Sequence, residues 1–275
     1  MTESTELKLK KFDIKKMKSD SIVLLLAKRR TGKSFLCRDI LYNNRDVPTG
    51  IVVSPTEKCN TYYGDFIPDL FIHDEYTPEL LDKFLKRQRT VREIAKESGK
   101  SYDERSFLVM DDCMFDNKWV KDSQIREIFF NGRHYNIFFI LLMQYALGIT
   151  PALRSNIDYV FILKETVLAN RKKLYDHYAG IFPSFDVFCQ AMDQCTNDFE
   201  CLVIDNTVNS NVLEDQVFWF KATPHDTFHM GSQKYWDYSK NNYDQDYEKK
   251  SGYFDINENK GKNKKKNYVI KQVRS

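Results

Sequence analysis

The sequence predicts an α/β fold in which helices flank a mainly parallel central sheet and a C-terminal antiparallel hairpin closes it. Three observations carry this prediction. Apolar runs of strand length recur along the chain, several of them end in polar residues with phosphate or metal chemistry, and amphipathic helical segments separate them. Because an open α/β sheet binds ligands at the carboxyl ends of its strands, those polar residues are candidates for a single site.

The first run, 22–26, leads into AKRRTGKS, which matches the phosphate-binding (Walker A) pattern G-x-x-x-x-G-K-[ST] except that Ala27 replaces the first glycine. Backbone N–H groups at the start of the following helix would face the phosphates. Lys33 would reach the outer phosphates and the Ser34 hydroxyl would be a Mg²⁺ ligand. If position 27 needs a positive φ, its Cβ costs about 1 kcal/mol. The candidate nucleotide-binding residues are Ala27, Arg30, Thr31, Gly32, Lys33, Ser34 and Phe35.

The second run, 106–110, is followed by Asp111 and Asp112, an acid pair of the Walker B type. Asp111 would bind Mg²⁺ through water or support Ser34. Asp112 would orient or deprotonate an attacking water. Many ATPases carry Glu at the second position, and Asp is one methylene shorter.

The third run, 135–143, ends at Gln144, whose amide would contact both the γ-phosphate and the attacking water if the strands are neighbours. Phosphoryl transfer also builds up negative charge on the γ-oxygens, which a guanidinium group of the same or a neighbouring subunit stabilises. Arg133 and Arg154 are the two candidates.

The remaining elements follow from apolar patterning and from proline. Thr77 and Pro78 suit the N-cap and first position of a helix, and Pro183 divides a helical region at 166–196 into two pieces. The further predicted strands are 50–54, 71–72, 159–163, 199–205 and 217–221, of which the last two form the hairpin. The further predicted helices are the phosphate-loop helix, which resumes at 35–37 and runs to about Tyr42, and the segments 122–131 and 150–156.

The composition suggests three segments: an N-terminal arm at 1–20, a phosphate-loop domain at 21–232 and a polar, basic tail at 233–275, expected to be mobile. Residues 260–275 contain no acid and could contact a nucleic-acid backbone or simply aid solubility. The net charge of the 275 residues is only +3, so the total charge identifies no partner.

The six cysteines form no C-x-x-C pair, which favours reduced thiols in a reducing compartment. Cys189, Cys195 and Cys201, with His177 upstream, form a weak candidate for a metal site. No apolar run approaches the roughly 18 residues of a membrane span, and the first residues lack a signal-peptide core. An intracellular protein is expected.

Six blocks in this order carry a resemblance: AKRRTGKS, FLVMDD, GRHYNIFFILLMQ, ITPALRSNIDYVFIL, FECLVIDN and VFWFKA. Between residues 21 and 222 the chain resembles the genome-packaging ATPases of nucleocytoplasmic large DNA viruses, the poxvirus-type branch of the FtsK–HerA superfamily of P-loop motors. The resemblance implies an additional-strand P-loop NTPase fold, a homo-oligomeric ring, ATP and Mg²⁺, and translocation of double-stranded DNA into a capsid. It also implies sequence-independent DNA binding, a capsid or portal-site partner, and a location in the virus factory or virion.

Residue by residue, the resemblance assigns phosphate and Mg²⁺ binding to Lys33 and Ser34, metal support to Asp111, catalysis to Asp112 and the sensor role to Gln144. Arg133 and Arg154 fall in blocks where such families keep arginines, and the match leaves open which of them is the arginine finger. Two alternatives are a P-loop kinase of a small acceptor and a non-hydrolysing DNA-binding scaffold protein. The acid pair with Gln144 argues against the kinase, and the intact Lys33, Ser34 and Asp111 argue against the scaffold.

Overall fold

The computed structural model describes residues 7–99, 101–113, 119–145 and 147–243. The chain divides into two compact units, Met1–Asn241 and Asn242–Ser275. The elements and the site described below belong to the first unit, apart from the last residue of the final helix. The predicted basic run 260–275 lies outside the described residues.

A single sheet organises the described part of the chain. Its strands are β1 (Lys10–Lys11), β2 (Ile22–Leu26), β3 (Gly50–Val53), β4 (Ile72–His73), β5 (Ser106–Asp111), β6 (Ile137–Met143), β7 (Tyr159–Ile162), β8 (Glu200–Asp205) and β9 (Val217–Lys221). They lie in the order β1-β9-β8-β7-β2-β6-β5-β3-β4. The six strands from β7 to β4 in this order are mutually parallel, whereas β8 is antiparallel to both β7 and β9. The predicted fold class is therefore confirmed, including the C-terminal antiparallel hairpin.

Helices cover both faces of the sheet. They are α1 (Lys33–Asn43), α2 (Glu57–Asn60), α3 (Pro78–Ser98), α4 (Ser123–Asn131), α5 (Pro151–Arg154), α6 (Leu168–Tyr178), α7 (Phe185–Cys195), α8 (Leu213–Gln216) and α9 (Gln233–Asn242). The long helix α3 begins as its sequence predicts, because the Thr77 side chain accepts a hydrogen bond of 3.2 Å from the backbone N–H of Leu80 and Pro78 occupies the first turn. Pro183 lies between α6 and α7, as predicted.

Strand β2 lies near the middle of the sheet and is buried on both faces. Leu24 packs into the cluster formed with α3, α4, α6 and α7, while Val23 and Leu25 pack into the cluster formed with α1. A parallel strand covered on both sides must be apolar at every position, which is why the sequence shows a continuous run and not alternation. This packing holds the strand that carries the phosphate loop rigidly in the core.

The predicted tail begins too early. Gln233–Asn242 form helix α9, and the Tyr235 side chain, 3% exposed, donates a hydrogen bond of 2.7 Å to the carbonyl oxygen of Gly50. Trp236 donates from its indole nitrogen to the carbonyl oxygen of Met230 at 2.8 Å. Two adjacent aromatic residues bury enough apolar surface to outweigh the polar composition around them. The compact unit accordingly extends through Asn241.

The six cysteines are free thiols. Within the described ranges, no three His, Cys, Asp or Glu side chains are grouped so that they could hold a metal ion, so the cysteine spacing near His177 does not form a site. No helix in those ranges combines the length and the apolar character needed to span a membrane.

Candidate active site

The phosphate loop, the acid pair and Gln144 meet at one edge of the sheet. Strand β6 pairs in parallel with both β2 and β5, and the register aligns Leu26 with Met143 and Asp111 with Leu142. The three strands therefore end at nearly the same level, and the residues that follow them converge. Several predicted residues line one open cleft of about 770 Å³, among them Arg30, Gly32, Lys33, Ser34, Phe35 and Asp112.

The phosphate loop takes its positive φ angles at Arg30 (+65°) and at Gly32 (+95°), the residue before α1. Ala27 lies outside the left-handed region, so the backbone cost anticipated for a Cβ at this position does not arise. Its N–H donates to the carbonyl oxygen of Met143 at 3.0 Å and its side chain is buried, which continues the β2 ladder by one residue. Thr31 closes the turn by donating from its hydroxyl to the carbonyl oxygen of Lys28 at 2.7 Å.

Lys33 forms ion pairs with both acids. Its Nζ lies 3.4 Å from Oδ1 of Asp111 and is also bonded to Oδ1 of Asp112. Gln144 donates from its side-chain Nε2 to Oδ2 of Asp112 at 2.7 Å. Asp112 itself sits in the left-handed region at φ +51°. Residues strained in this way cluster at functional sites, and the geometry here brings a cation, two carboxylates and an amide within contact of one another.

Asp111 is a buried carboxylate, 5% exposed, and its Oδ1 accepts no hydrogen bond although Nζ of Lys33 lies 3.4 Å away. Burial raises its pKa above the ordinary value, and the neighbouring Lys33 opposes this rise. Oδ2 accepts a hydrogen bond of 2.9 Å from Tyr63, but Oδ1 accepts none. A buried carboxylate oxygen that accepts no hydrogen bond fits Mg²⁺, which takes one or two protein oxygens and completes its shell with water and phosphate.

Sequence reasoning missed Tyr62 and Tyr63, which lie between β3 and β4. Tyr63 bonds to Asp111, and the Tyr62 hydroxyl donates to the carbonyl oxygen of Ser34 at 3.0 Å. Burial and the neighbouring Cys37 and Asp111 raise the pKa of Tyr63 well above its ordinary value, which keeps it a proton donor. These pairs are 48 and 28 residues apart in the chain, so no local pattern reveals them.

Glu165 is a second omission, and its position did offer a signal. It lies beyond the end of β7 just as Asp112 lies beyond the end of β5, and it forms an ion pair with Lys28 of the phosphate loop. The carboxylate also accepts hydrogen bonds from the Val167 N–H at 2.7 Å and from Asn170 at 3.1 Å. Glu165 therefore fixes one flank of the loop, and the rule that polar residues after parallel strands form sites would have included it.

The two candidate arginines lie away from this cluster. Arg133 precedes β6, and its Nη2 lies 3.4 Å from Oδ1 of Asp158, at the amino end of β7. The seven residues of β6 at about 3.3 Å each separate it from Gln144 by about 20 Å. Arg154 ends α5 and lies over the ring of Tyr178, 5.7 Å from its centroid, at the end of α6. The structure thus does not bring either arginine to Lys33 or Asp112 of its own chain.

No protein-family model matches the chain. An uncharacterized protein of Acanthamoeba polyphaga mimivirus is 42% identical over 87% of this chain and 85% of its own length. An uncharacterized protein of invertebrate iridescent virus 6 is 39% identical over 83% of this chain and 88% of its own length. The chain belongs to this protein family of nucleocytoplasmic large DNA viruses.

Solved structures similar to this chain include the DNA-packaging ATPase of Sulfolobus turreted icosahedral virus. It is 18% identical, with a TM-score of 0.54 over 76% of this chain and all of the viral ATPase. The genome-packaging NTPase of Sulfolobus turreted icosahedral virus 2, solved in complex with AMPPCP, is 16% identical, with a TM-score of 0.52 over 75% of this chain and all of its own. This chain therefore has the fold of P-loop ATPases.

Proposed function

We propose that this protein is an ATP-hydrolysing motor that translocates double-stranded DNA and packages a viral genome into its capsid. One observation carries the proposal: Lys33 and Gln144 both contact Asp112 at the carboxyl ends of adjacent parallel strands. Water-activating and charge-stabilising groups placed there suit hydrolysis of a nucleoside triphosphate. The likeness in fold to viral packaging ATPases supports this interpretation. We include in the proposal that the chain belongs to the poxvirus-type branch of the FtsK–HerA motors.

The residues divide the chemistry among themselves. Asp112 accepts a hydrogen bond from the attacking water and takes its proton, while the Gln144 amide orients that water against the γ-phosphate. Lys33, released from Asp112, neutralises the outer phosphate oxygens. Asp111 and Ser34 would hold Mg²⁺, which would supply Lewis-acid stabilisation of the phosphate charge. Backbone N–H groups of the loop from Arg30 to Phe35 bind the phosphates.

The long distance between Arg133 and Gln144 is a reason to propose that several copies of this chain assemble. An arginine at the opposite edge of the sheet cannot reach the nucleotide of its own chain, but its side chain is 65% exposed and available to a neighbour. We therefore include in the proposal a homo-oligomeric ring in which Arg133 completes the site of the adjacent subunit. Double-stranded DNA, bound without sequence preference, and a capsid or portal-site protein complete the proposed partners, and the virus factory or virion is the proposed location.

The test is steady-state ATP hydrolysis with Mg²⁺, measured with and without long duplex DNA. We expect phosphate release that DNA stimulates, and we expect Lys33→Ala and Asp112→Asn to lower it by about 10²-fold or more. Lys86→Ala and Asp82→Asn, at exposed positions of α3, are the matched controls and should retain wild-type turnover. Phosphate transfer to a small acceptor without DNA would indicate a kinase, and DNA binding without turnover would indicate a scaffold protein; either result contradicts the proposal.

A further inference from the structure

The aromatic ring of Phe199 borders the phosphate loop, on the side away from Asp111 and Asp112. Phe199 lies in the connection between α7 and β8, and its side chain is 64% exposed. A Cβ placed on Gly32 would lie 3.3 Å from Cδ1 of Phe199, so the ring is in contact with the last residue of the loop before Lys33. A large apolar ring is thus held in solvent directly against the segment that binds phosphates.

The backbone at this point is strained. Phe199 has a φ of +62° and the preceding Asp198 one of +49°. A bulky residue in the left-handed region is a true outlier, and such outliers persist where the surrounding structure holds them. Here Asp198 forms an ion pair with Lys221, and Asn197 accepts a hydrogen bond of 2.9 Å from Nζ of Lys164. The connection is therefore fixed at the ends of β7 and β9, with the Phe199 ring presented outward.

The order of the strands indicates what occupies this position. Asp112 and Gln144 follow β5 and β6, on one side of β2, and they mark the γ-phosphate end of the site. Phe199 precedes β8, on the other side of β2 and beyond β7. A triphosphate that crosses the loop from the acids directs its nucleoside toward β7 and β8. The base then emerges next to the exposed ring.

We propose that Phe199 is the stacking platform for the purine base of the nucleoside triphosphate. This inference depends on the proposed function, because it assigns the base end of the same site. Stacking on an aromatic face gives affinity to any base and more to the larger purines, since every base has a π-face. The phosphate loop then provides affinity for the triphosphate, and Phe199 provides the preference for a purine nucleotide over inorganic phosphate chains.

The experiment compares the binding of ATP, UTP and inorganic tripolyphosphate, each with Mg²⁺, by the full chain and its variants. We expect the wild type to bind ATP most tightly, UTP less tightly and tripolyphosphate most weakly. Phe199→Ala should weaken ATP binding by about 5-fold to 100-fold and leave tripolyphosphate binding unchanged. Phe199→Trp should retain ATP affinity. Phe130→Ala, which removes a ring that is 47% exposed on α4, is the matched control and should change neither ligand.

Three results would overturn the inference. Unchanged ATP affinity in Phe199→Ala means that the base rests elsewhere. Equal weakening of ATP and tripolyphosphate means that the ring supports the loop and not the base. A wild-type protein that binds neither ligand refutes the proposed function and this inference with it, whereas the first two results leave the proposed function intact. A thermal melting temperature for Phe199→Ala equal to or above that of the wild type confirms that the exposed ring is not needed for folding.

Discussion

The hydroxyl group of Tyr63 donates a hydrogen bond of 2.9 Å to Oδ2 of Asp111. Its neighbour Tyr62 donates one of 3.0 Å to the carbonyl oxygen of Ser34. Two consecutive tyrosines therefore contact the two residues that we propose to hold Mg²⁺. The segment between β3 and β4 is in direct contact with the two residues of the proposed metal site, and any shift of Asp111 or Ser34 changes the hydrogen bonds of that segment.

Tyr63→Phe tests this contact. The substitution leaves both oxygens of the buried Asp111 carboxylate without a hydrogen bond, so we expect the free energy of unfolding to fall by about 1–3 kcal/mol. Urea denaturation measures the change. Tyr62→Phe is the control. Because Tyr62 is partly exposed, losing its hydroxyl group should lower the free energy of unfolding by only about 0.5–1.5 kcal/mol. A loss at Tyr63 no larger than that at Tyr62 would contradict the prediction.

The raised pKa of Asp111 predicts a pH dependence. An acid whose pKa is higher in the folded chain than its ordinary value of 3.8 binds its proton more tightly when folded, so ionisation destabilises the fold. Its contribution to stability is therefore greatest below pH 3.8 and falls as the pH rises through the folded pKa. Asp111→Asn cannot ionise. We expect its melting temperature to rise relative to the wild type between about pH 4 and about pH 7.

Asp103→Asn provides a control of opposite sign for that measurement. The hydrogen bond from Arg105 lowers the pKa of Asp103, so ionised Asp103 stabilises the fold. This contribution is present above pH 3.8 and is lost as the pH falls through the lowered pKa. Relative to the wild type, Asp103→Asn should therefore lose stability as the pH rises from the lowered pKa to 3.8, and the difference should stay level above pH 3.8, where Asp111→Asn gains. If the stabilities of the two variants change with pH in the same direction relative to the wild type, burial does not raise the pKa of Asp111.

Gly→Ala substitutions at three positions distinguish the stability cost of backbone strain from the cost of the contact between Gly32 and Phe199. Gly32 has a φ of +95° and faces Phe199, Gly99 has a φ of +62° with nothing near its Cβ position, and Gly180 has neither constraint. We expect Gly180→Ala to be neutral or slightly stabilising and Gly99→Ala to cost about 1 kcal/mol. Gly32→Ala should cost more than Gly99→Ala, because its Cβ also presses on the ring. Chemical denaturation ranks the three, and equal costs at 32 and 99 would refute the contact with Phe199.

If Arg133 completes the site of an adjacent subunit, two inactive variants should restore activity together. Arg133→Ala and Asp112→Asn are each expected to lower ATP turnover by about 10²-fold or more. Mixed assemblies contain some sites with both an intact Asp112 and a neighbour's intact Arg133, so a mixture should hydrolyse ATP faster than either variant alone. Arg154→Ala serves as the comparison, since Arg154 contacts Tyr178. Wild-type turnover by Arg133→Ala alone would exclude this role.

The sequence predicts the parallel sheet and the convergence of its strand ends well, for a physical reason. Strands buried on both faces must be apolar throughout, and they end abruptly where polar residues meet solvent. The runs before Ala27, Asp111 and Gln144 show both features. Helix starts such as Thr77–Pro78 depend on local hydrogen bonding and fixed φ, so they too are visible in the sequence.

Contacts between distant segments are not visible in this way. The bond between Tyr63 and Asp111 depends on how the chain between β3 and β4 packs, which no local spacing specifies. The positive φ falls on Arg30 and Gly32 and not on Ala27, because Ala27 continues the hydrogen-bonded ladder of β2. Arg133 is close to Gln144 in sequence, yet a strand lies between them and carries them to opposite edges. Sequence proximity predicts proximity in space only where no extended element intervenes.

The ion pairs of Lys33 with Asp111 and Asp112 have a consequence for ligand selection. An anion that arrives without a cation must compete with two carboxylates for the lysine and leaves them facing each other without a counter-charge. A triphosphate accompanied by a divalent cation avoids this conflict, since the cation takes the carboxylates while the lysine turns to the phosphates. This pocket, in which two carboxylates face one lysine, is therefore biased against bare polyanions, so the backbone of a nucleic acid strand competes poorly for the proposed nucleotide site.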